Sequence, residues 1–187
     1  MPPPYHDDQE GVLSKGDQTR RMTLKSKTLI IGIGNADRQD DGVGWHILKN
    51  IAEKIGFEVP DDPGAPIEIE DERVDLMYTL QIFPELAETI SHYQRICFVD
   101  AHTADIPDEI CWTELQPEYE RSPLTHHMSP KTVLSISATI YGIIPETILV
   151  SIRGFSFQFQ RELSPRTASL TQEATERIWE WVNAPLT

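Results

Sequence analysis

Three short stretches carry side chains that could do chemistry together. Asp40 and Asp41 stand in a loop between an apolar run, residues 28–34, and a helical pattern that starts near Gly42. Asp100 closes a second apolar run, residues 96–99. His126 and His127 lie just before Ser129-Pro130. Two carboxylates and an imidazole form a mixed oxygen and nitrogen donor set, suited to nickel, zinc or manganese. Carboxylates brought to one place repel unless a cation or a proton joins them. His102, two residues beyond Asp100, is a reserve donor, and His46 and His92 read as structural or exposed. Each group also has a local reading. One of Asp40 and Asp41 could cap the following helix. Asp100 could cap a turn, and a histidine pair in a loop could simply face water.

Other chemistries fit poorly. Gly32-Ile33-Gly34 opens like a dinucleotide fingerprint, but the third glycine position is Asp37, followed by Asp40 and Asp41. A loop lined by carboxylates repels the pyrophosphate that such a loop exists to bind. The sequence has no His-Glu-x-x-His zinc pair and no Gly-x-Ser-x-Gly nucleophile elbow.

The elements that must position these groups alternate. Residues 28–34 read as a buried central strand, ending in glycine. Val43, Ile47, Leu48, Ile51 and Ile55 recur at helical spacing, with Gly56 as the stop. Residues 66–74 read as a second, more polar strand, and Pro84 opens a helix over 85–93. Strands follow at 95–100, 109–115 and 147–152. Ser129-Pro130 and Ser164-Pro165 are cap-and-proline signals for two further helices. The first of these carries Val133, Leu134, Ile136 and Ile140, and the second Leu170, Ala174, Ile178, Trp181 and Val182. Alternation of this kind predicts a three-layer α/β/α domain around a mixed, mostly parallel sheet. Residues 1–26 are proline-bearing and charged with few large apolar side chains, and read as a flexible extension. Residues 27–187 read as one domain.

The formal net charge of −14 excludes most partners with phosphate backbones and disfavours anionic membrane surfaces. No apolar run reaches the roughly 20 residues of a membrane helix. Arg20-Arg21 is followed by Met22-Thr23-Leu24-Lys25, so it does not read as a twin-arginine signal. Two cysteines, Cys97 and Cys111, give neither a disulfide scaffold nor a thiolate metal site. The cytoplasm is the expected compartment.

The motifs also resemble a known family. The segment Leu29-Ile30-Ile31-Gly32-Ile33-Gly34-Asn35, followed by Asp40-Asp41-Gly42-Val43-Gly44, is similar to the opening of the nickel–iron hydrogenase maturation endopeptidases. Phe98-Val99-Asp100-Ala101 is similar to their second motif, and His126-His127-Met128-Ser129 to their histidine motif. Ser151-Ile152-Arg153-Gly154 and Glu162-Leu163-Ser164-Pro165 resemble their closing strand and helix. The resemblance implies a twisted five-stranded sheet between helices. It implies Asp41, Asp100 and His126 as metal-contacting residues, with Asp41 or Asp100 as the base of an aspartic-type or metal-assisted hydrolysis. The implied substrate is the nickel-loaded precursor of a hydrogenase large subunit, which loses a C-terminal peptide. The nickel comes with that precursor, and the enzyme is expected to be a monomer. A non-catalytic nickel-checking module or assembly chaperone on the same fold is the alternative. Where many relatives carry Asp-Gly-Gly-Thr, this chain is expected to place residues 70–75. Gln81-Ile82-Phe83-Pro84-Glu85-Leu86 resembles the branch serving soluble, cytoplasmic hydrogenases.

Overall fold

The computed structural model describes residues 25–119 and 128–185. The expected extension falls almost entirely outside these residues, as do His126 and His127. The chain opens with β1 (Lys25–Ile33), a 3-10 turn (Gln39–Gly42) and α1 (Val43–Lys54). It continues through β2 (Glu68–Glu70), β3 (Val74–Thr79), α2 (Leu86–Ile90) and β4 (Tyr93–His102). It closes with β5 (Ile110–Leu115), α3 (Pro130–Tyr141), β6 (Glu146–Arg153) and α4 (Pro165–Asn183).

The strands form one sheet in the order β2-β3-β1-β4-β6-β5. The four central strands run parallel, and the edge strands β2 and β5 run antiparallel to their neighbours. Alternate residues of each strand enter opposite cores. Cys97 and Val99 of β4 pack with Ile47, Leu48 and Ile51 of α1 and with Leu170 and Ile178 of α4. Ile96 and Phe98 pack with Leu86 and Ile90 of α2 and with Val133 and Leu134 of α3. The α/β/α layering expected from the sequence is therefore present.

Three expectations are corrected. The sheet has six strands, not five, because residues 66–74 do not form one strand. A short edge strand covers 68–70, and the strand beside β1 begins only at Val74. Its acidic second residue obscured it. Asp75 is almost fully buried and accepts bonds from Lys27 Nζ (2.5 Å) and the Tyr93 hydroxyl (2.6 Å), so a charge sits inside a central strand. The helix expected over 85–93 is a short one, Leu86–Ile90, and Tyr93 already opens β4. Ser91 ends that helix by donating its hydroxyl to the Glu88 carbonyl at 2.6 Å.

The expected signals at Gly56, Ser129-Pro130 and Ser164-Pro165 all mark helix ends, the last without a side-chain cap bond. Gly56 follows α1 in the left-handed region at φ 86°. Ser129 caps α3, accepting from Thr132 N at 3.3 Å, and Gly142 ends it at φ 68°. Ser164 stands at the start of α4 but makes no side-chain cap; its hydroxyl goes elsewhere.

Candidate active site

The loop after β1 builds the site. Gly34 turns the chain at φ 119°, and a Cβ there would lie 2.0 Å from the Asp41 carbonyl oxygen, so only glycine fits. The Tyr78 hydroxyl, from β3, donates to the Gly34 carbonyl at 2.6 Å and accepts from Ala36 N at 3.1 Å. Gly44 lets α1 lie close on β1, since its Cβ would meet Ile33 N at 2.6 Å. The helix therefore starts close against the end of the strand.

Asp40 and Asp41 part company within this loop. Neither caps α1, whose N-terminal residue position is held by Gly42 with no side-chain bond. Asp40 is fully buried and accepts five hydrogen bonds. They come from Phe155 N (2.7 Å), Ser156 N (2.9 Å), Ser164 N (2.7 Å), Ser164 Oγ (2.7 Å) and Thr167 Oγ1 (2.8 Å). This is where the missing Ser164 cap went. Burial pushes the Asp40 carboxyl up, but the bonds from Ser164, Phe155 and Ser156 outweigh it and hold it below the ordinary range.

Among the described residues Asp41 accepts one such bond, from Asn35 N at 2.9 Å on Oδ2. Asp100, at the carboxyl end of β4, accepts from Ala101 N at 2.8 Å. Burial pushes the Asp100 carboxyl up to about 6, and the Asp41 charge adds to the rise. The two carboxylates thus share one field at the carboxyl edge of the central strands, where open α/β sheets bind ligands. The Tyr78 hydroxyl is also raised, chiefly by burial and then by the Asp41 and Asp37 charges. Such a group can hold a cation, or can take a proton near neutral pH.

The histidines divide differently. His102 Nε2 lies 2.9 Å from the Asp108 carbonyl, and its buried Nδ1 has no hydrogen-bond partner among the described residues. His46 binds the Arg161 carbonyl through Nε2 at 3.1 Å, and burial lowers its proton affinity. Among the described residues no three of His, Cys, Asp and Glu stand together as a metal cage. His126 and His127 lie outside the described residues, just before Met128 and the Ser129 cap of α3.

A cleft of about 600 Å³ opens beside the Asp41 loop, lined by Asn35, Ala36, Tyr78, Leu80, Gln81 and Phe83 among others. Residues 70–75, the segment expected where many relatives carry Asp-Gly-Gly-Thr, lie at the other end of the sheet by register. Val74 pairs with Thr28 near the start of β1, whereas Thr79 pairs with Ile33 at its end. The segment facing the carboxyl edge is therefore the one after Thr79. Asp40 is the functional-loop residue that sequence reading misjudged, because its partners lie more than a hundred residues away.

No family model matches the sequence, and no curated protein matches it either. Solved structures do share its fold. The hydrogenase maturating endopeptidase HybD from E. coli superposes with a TM-score of 0.59 at 19% identity, covering 83% of this chain and 91% of its own. The [NiFe] hydrogenase maturation protease HycI from Thermococcus kodakarensis KOD1 gives 0.59 at 19%, covering 86% and 94%. The hydrogenase 2 maturation peptidase from Thaumarchaeota archaeon SCGC_AB-539-E09 gives 0.55 at 19%, covering 84% and 99%. Across most of its length, this chain has the fold of the solved hydrogenase maturation endopeptidases.

Proposed function

We propose that this protein is a maturation endopeptidase that removes a C-terminal peptide from the nickel-loaded precursor of a [NiFe] hydrogenase large subunit. The observation that carries this reading is the fold shared with structures named as hydrogenase maturation endopeptidases, with Asp41 and Asp100 both at the carboxyl edge of its central strands. In this reading Asp41, Asp100 and His126 contact nickel that the substrate brings. Two carboxylates that repel each other without a cation gain most from a precursor that carries one. Nickel-free precursor would leave that repulsion in place and bind more weakly. The chemistry then asks for a base. A carboxyl raised to about 6 is ionised at pH 7 yet more basic than an ordinary aspartate, which suits Asp100 for water activation. Asp41 would serve mainly as ligand and orienting charge, and the cation would polarise the scissile carbonyl. The enzyme acts as a cytoplasmic monomer. No helix among the described residues is long and apolar enough to cross a membrane.

The test is incubation with nickel-loaded and nickel-free large-subunit precursor, read by intact mass. Loss of one C-terminal peptide, only with nickel and only with Asp41, Asp100 and His126 intact, is the expected result. Tight binding of cognate precursors without any shortening would replace this reading with that of a nickel-checking chaperone.

A further inference from the structure

The loop between β6 and α4, residues 154–164, is bound along its length to the loop that carries Asp41. Gln39 N donates to the Gln160 carbonyl at 2.7 Å, Asp40 N to the Ser156 carbonyl at 3.1 Å, and Gln158 N to Gln39 Oε1 at 3.3 Å. Arg38 and Gln160 form a parallel bridge. At the centre lies the Asp40 carboxylate, with Oδ1 on one donor and Oδ2 on four. Gln39, just before it, is the only non-glycine residue at positive φ among those described, at 51°. A strained backbone of that kind persists only where its surroundings over-determine it. Asp40 and Asp41 follow Gln39 in one 3-10 turn, where successive side chains point in different directions. Asp40 runs inward to the start of α4, and Asp41 turns to the Asn35 amide.

We propose that Asp40 is a positioning residue for Asp41: by drawing the 154–164 loop onto the loop after β1, it sets how the Asp41 carboxylate is presented beside Asp100. This rests on the reading of Asp41 as a site residue. The position demands a carboxylate. All five partners are donors, so an amide must turn its NH2 toward at least one N–H or O–H. An isosteric asparagine therefore disturbs the clamp without changing its volume.

The full-length chain is compared with Asp40→Asn, Asp41→Asn and Ile178→Ala. The last removes a fully buried α4 side chain far along the helix from the clamp, and serves as a control for general destabilisation. The first readout is the Asn35 amide in a ¹H–¹⁵N spectrum, because its N–H binds Asp41 Oδ2. Asp41→Asn defines the shift for a weakened bond. Asp40→Asn is expected to move Asn35 in the same direction and to speed its hydrogen exchange about tenfold, the worth of one charge-assisted bond. Ile178→Ala is expected to leave Asn35 in place. The second readout is the preference for nickel-loaded over nickel-free precursor, expected to fall about tenfold in Asp40→Asn and to stay intact in Ile178→Ala. If Asp40→Asn does not fold, Thr167→Val and Ser164→Ala each remove one O–H donor to Asp40 and should shift Asn35 less, in the same direction. An unmoved Asn35 in a folded clamp variant, or an equal shift in Ile178→Ala, overturns the proposal. Absence of any nickel preference in the wild type would count against the peptidase reading, while Asn35 still decides the role of Asp40.

Discussion

Asp40 and Asp41 are consecutive residues of the same type, yet the fold uses them in opposite ways. Asp40 accepts five hydrogen bonds and is held ionised by protein donors. Asp41 keeps most of its acceptor capacity open and adds its charge to the rise of Asp100. The difference teaches that a carboxylate's role follows the number of donors aimed at it rather than its place in a motif. A saturated acid stabilises structure, and an unsaturated one stores affinity for a cation or proton.

The largest effect should come from the open side of this pair. Asp100→Ala is expected to lower the rate of precursor cleavage by about 10²–10⁴-fold, in the range of a lost general base. The variant should remain folded by circular dichroism. Cleavage within a few-fold of wild type would remove Asp100 from the chemistry.

The closed side should dominate stability. Asp40→Ala takes the acceptor from the Phe155, Ser156 and Ser164 N–H groups and from two hydroxyls that have only longer alternatives, at a cost of about 3–5 kcal/mol. Asp41→Ala loses one partner and should cost about 1 kcal/mol. Urea unfolding of the two variants side by side measures the contrast. Equal losses would erase the distinction drawn between them.

A pH series sharpens it further. The folded-state proton affinity of Asp100 is raised, so its contribution to stability is complete below the ordinary range near 3.8. That contribution is lost as pH rises through about 6. Asp40 has the opposite sign: its contribution is present above the ordinary range and disappears on acidification. Asparagine at position 100 imitates the protonated acid. Between pH 4 and pH 8 the stability of Asp100→Asn relative to wild type should therefore grow by about 2 kcal/mol. Denaturant midpoints at several pH values provide the check, and a difference independent of pH would show that Asp100 is not raised.

The smallest effect concerns the support under Asp41. Tyr78→Phe removes the donor to the Gly34 carbonyl and the acceptor of the Ala36 amide. A loss of about 1–2 kcal/mol is expected, with cleavage reduced less than by Asp100→Ala. Thermal melts and initial rates on one preparation would measure both.

Much of the frame was legible in the sequence because its causes are local. The apolar run before Gly34, the helical spacing from Val43 to Ile51 and the stop at Gly56 report backbone and burial preferences within a few residues. The placement of Asp41 in the loop after one central strand and of Asp100 near the end of another was legible for the same reason. The strand Val74–Thr79 was misplaced because Asp75 breaks the apolar pattern, and its burial depends on Lys27 and Tyr93 from other strands.

By itself the sequence determined the α/β alternation, the acidic surface and which side chains stood at the ends of the central strands. Only the tertiary structure decided what each acid does. Asp40 reads like Asp41 until Phe155, Ser156, Ser164 and Thr167 arrive from residues 115 to 127 positions away. Periodicity carries information over a turn of helix or a strand, whereas hydrogen-bond donors converge on a carboxylate only after the chain has packed.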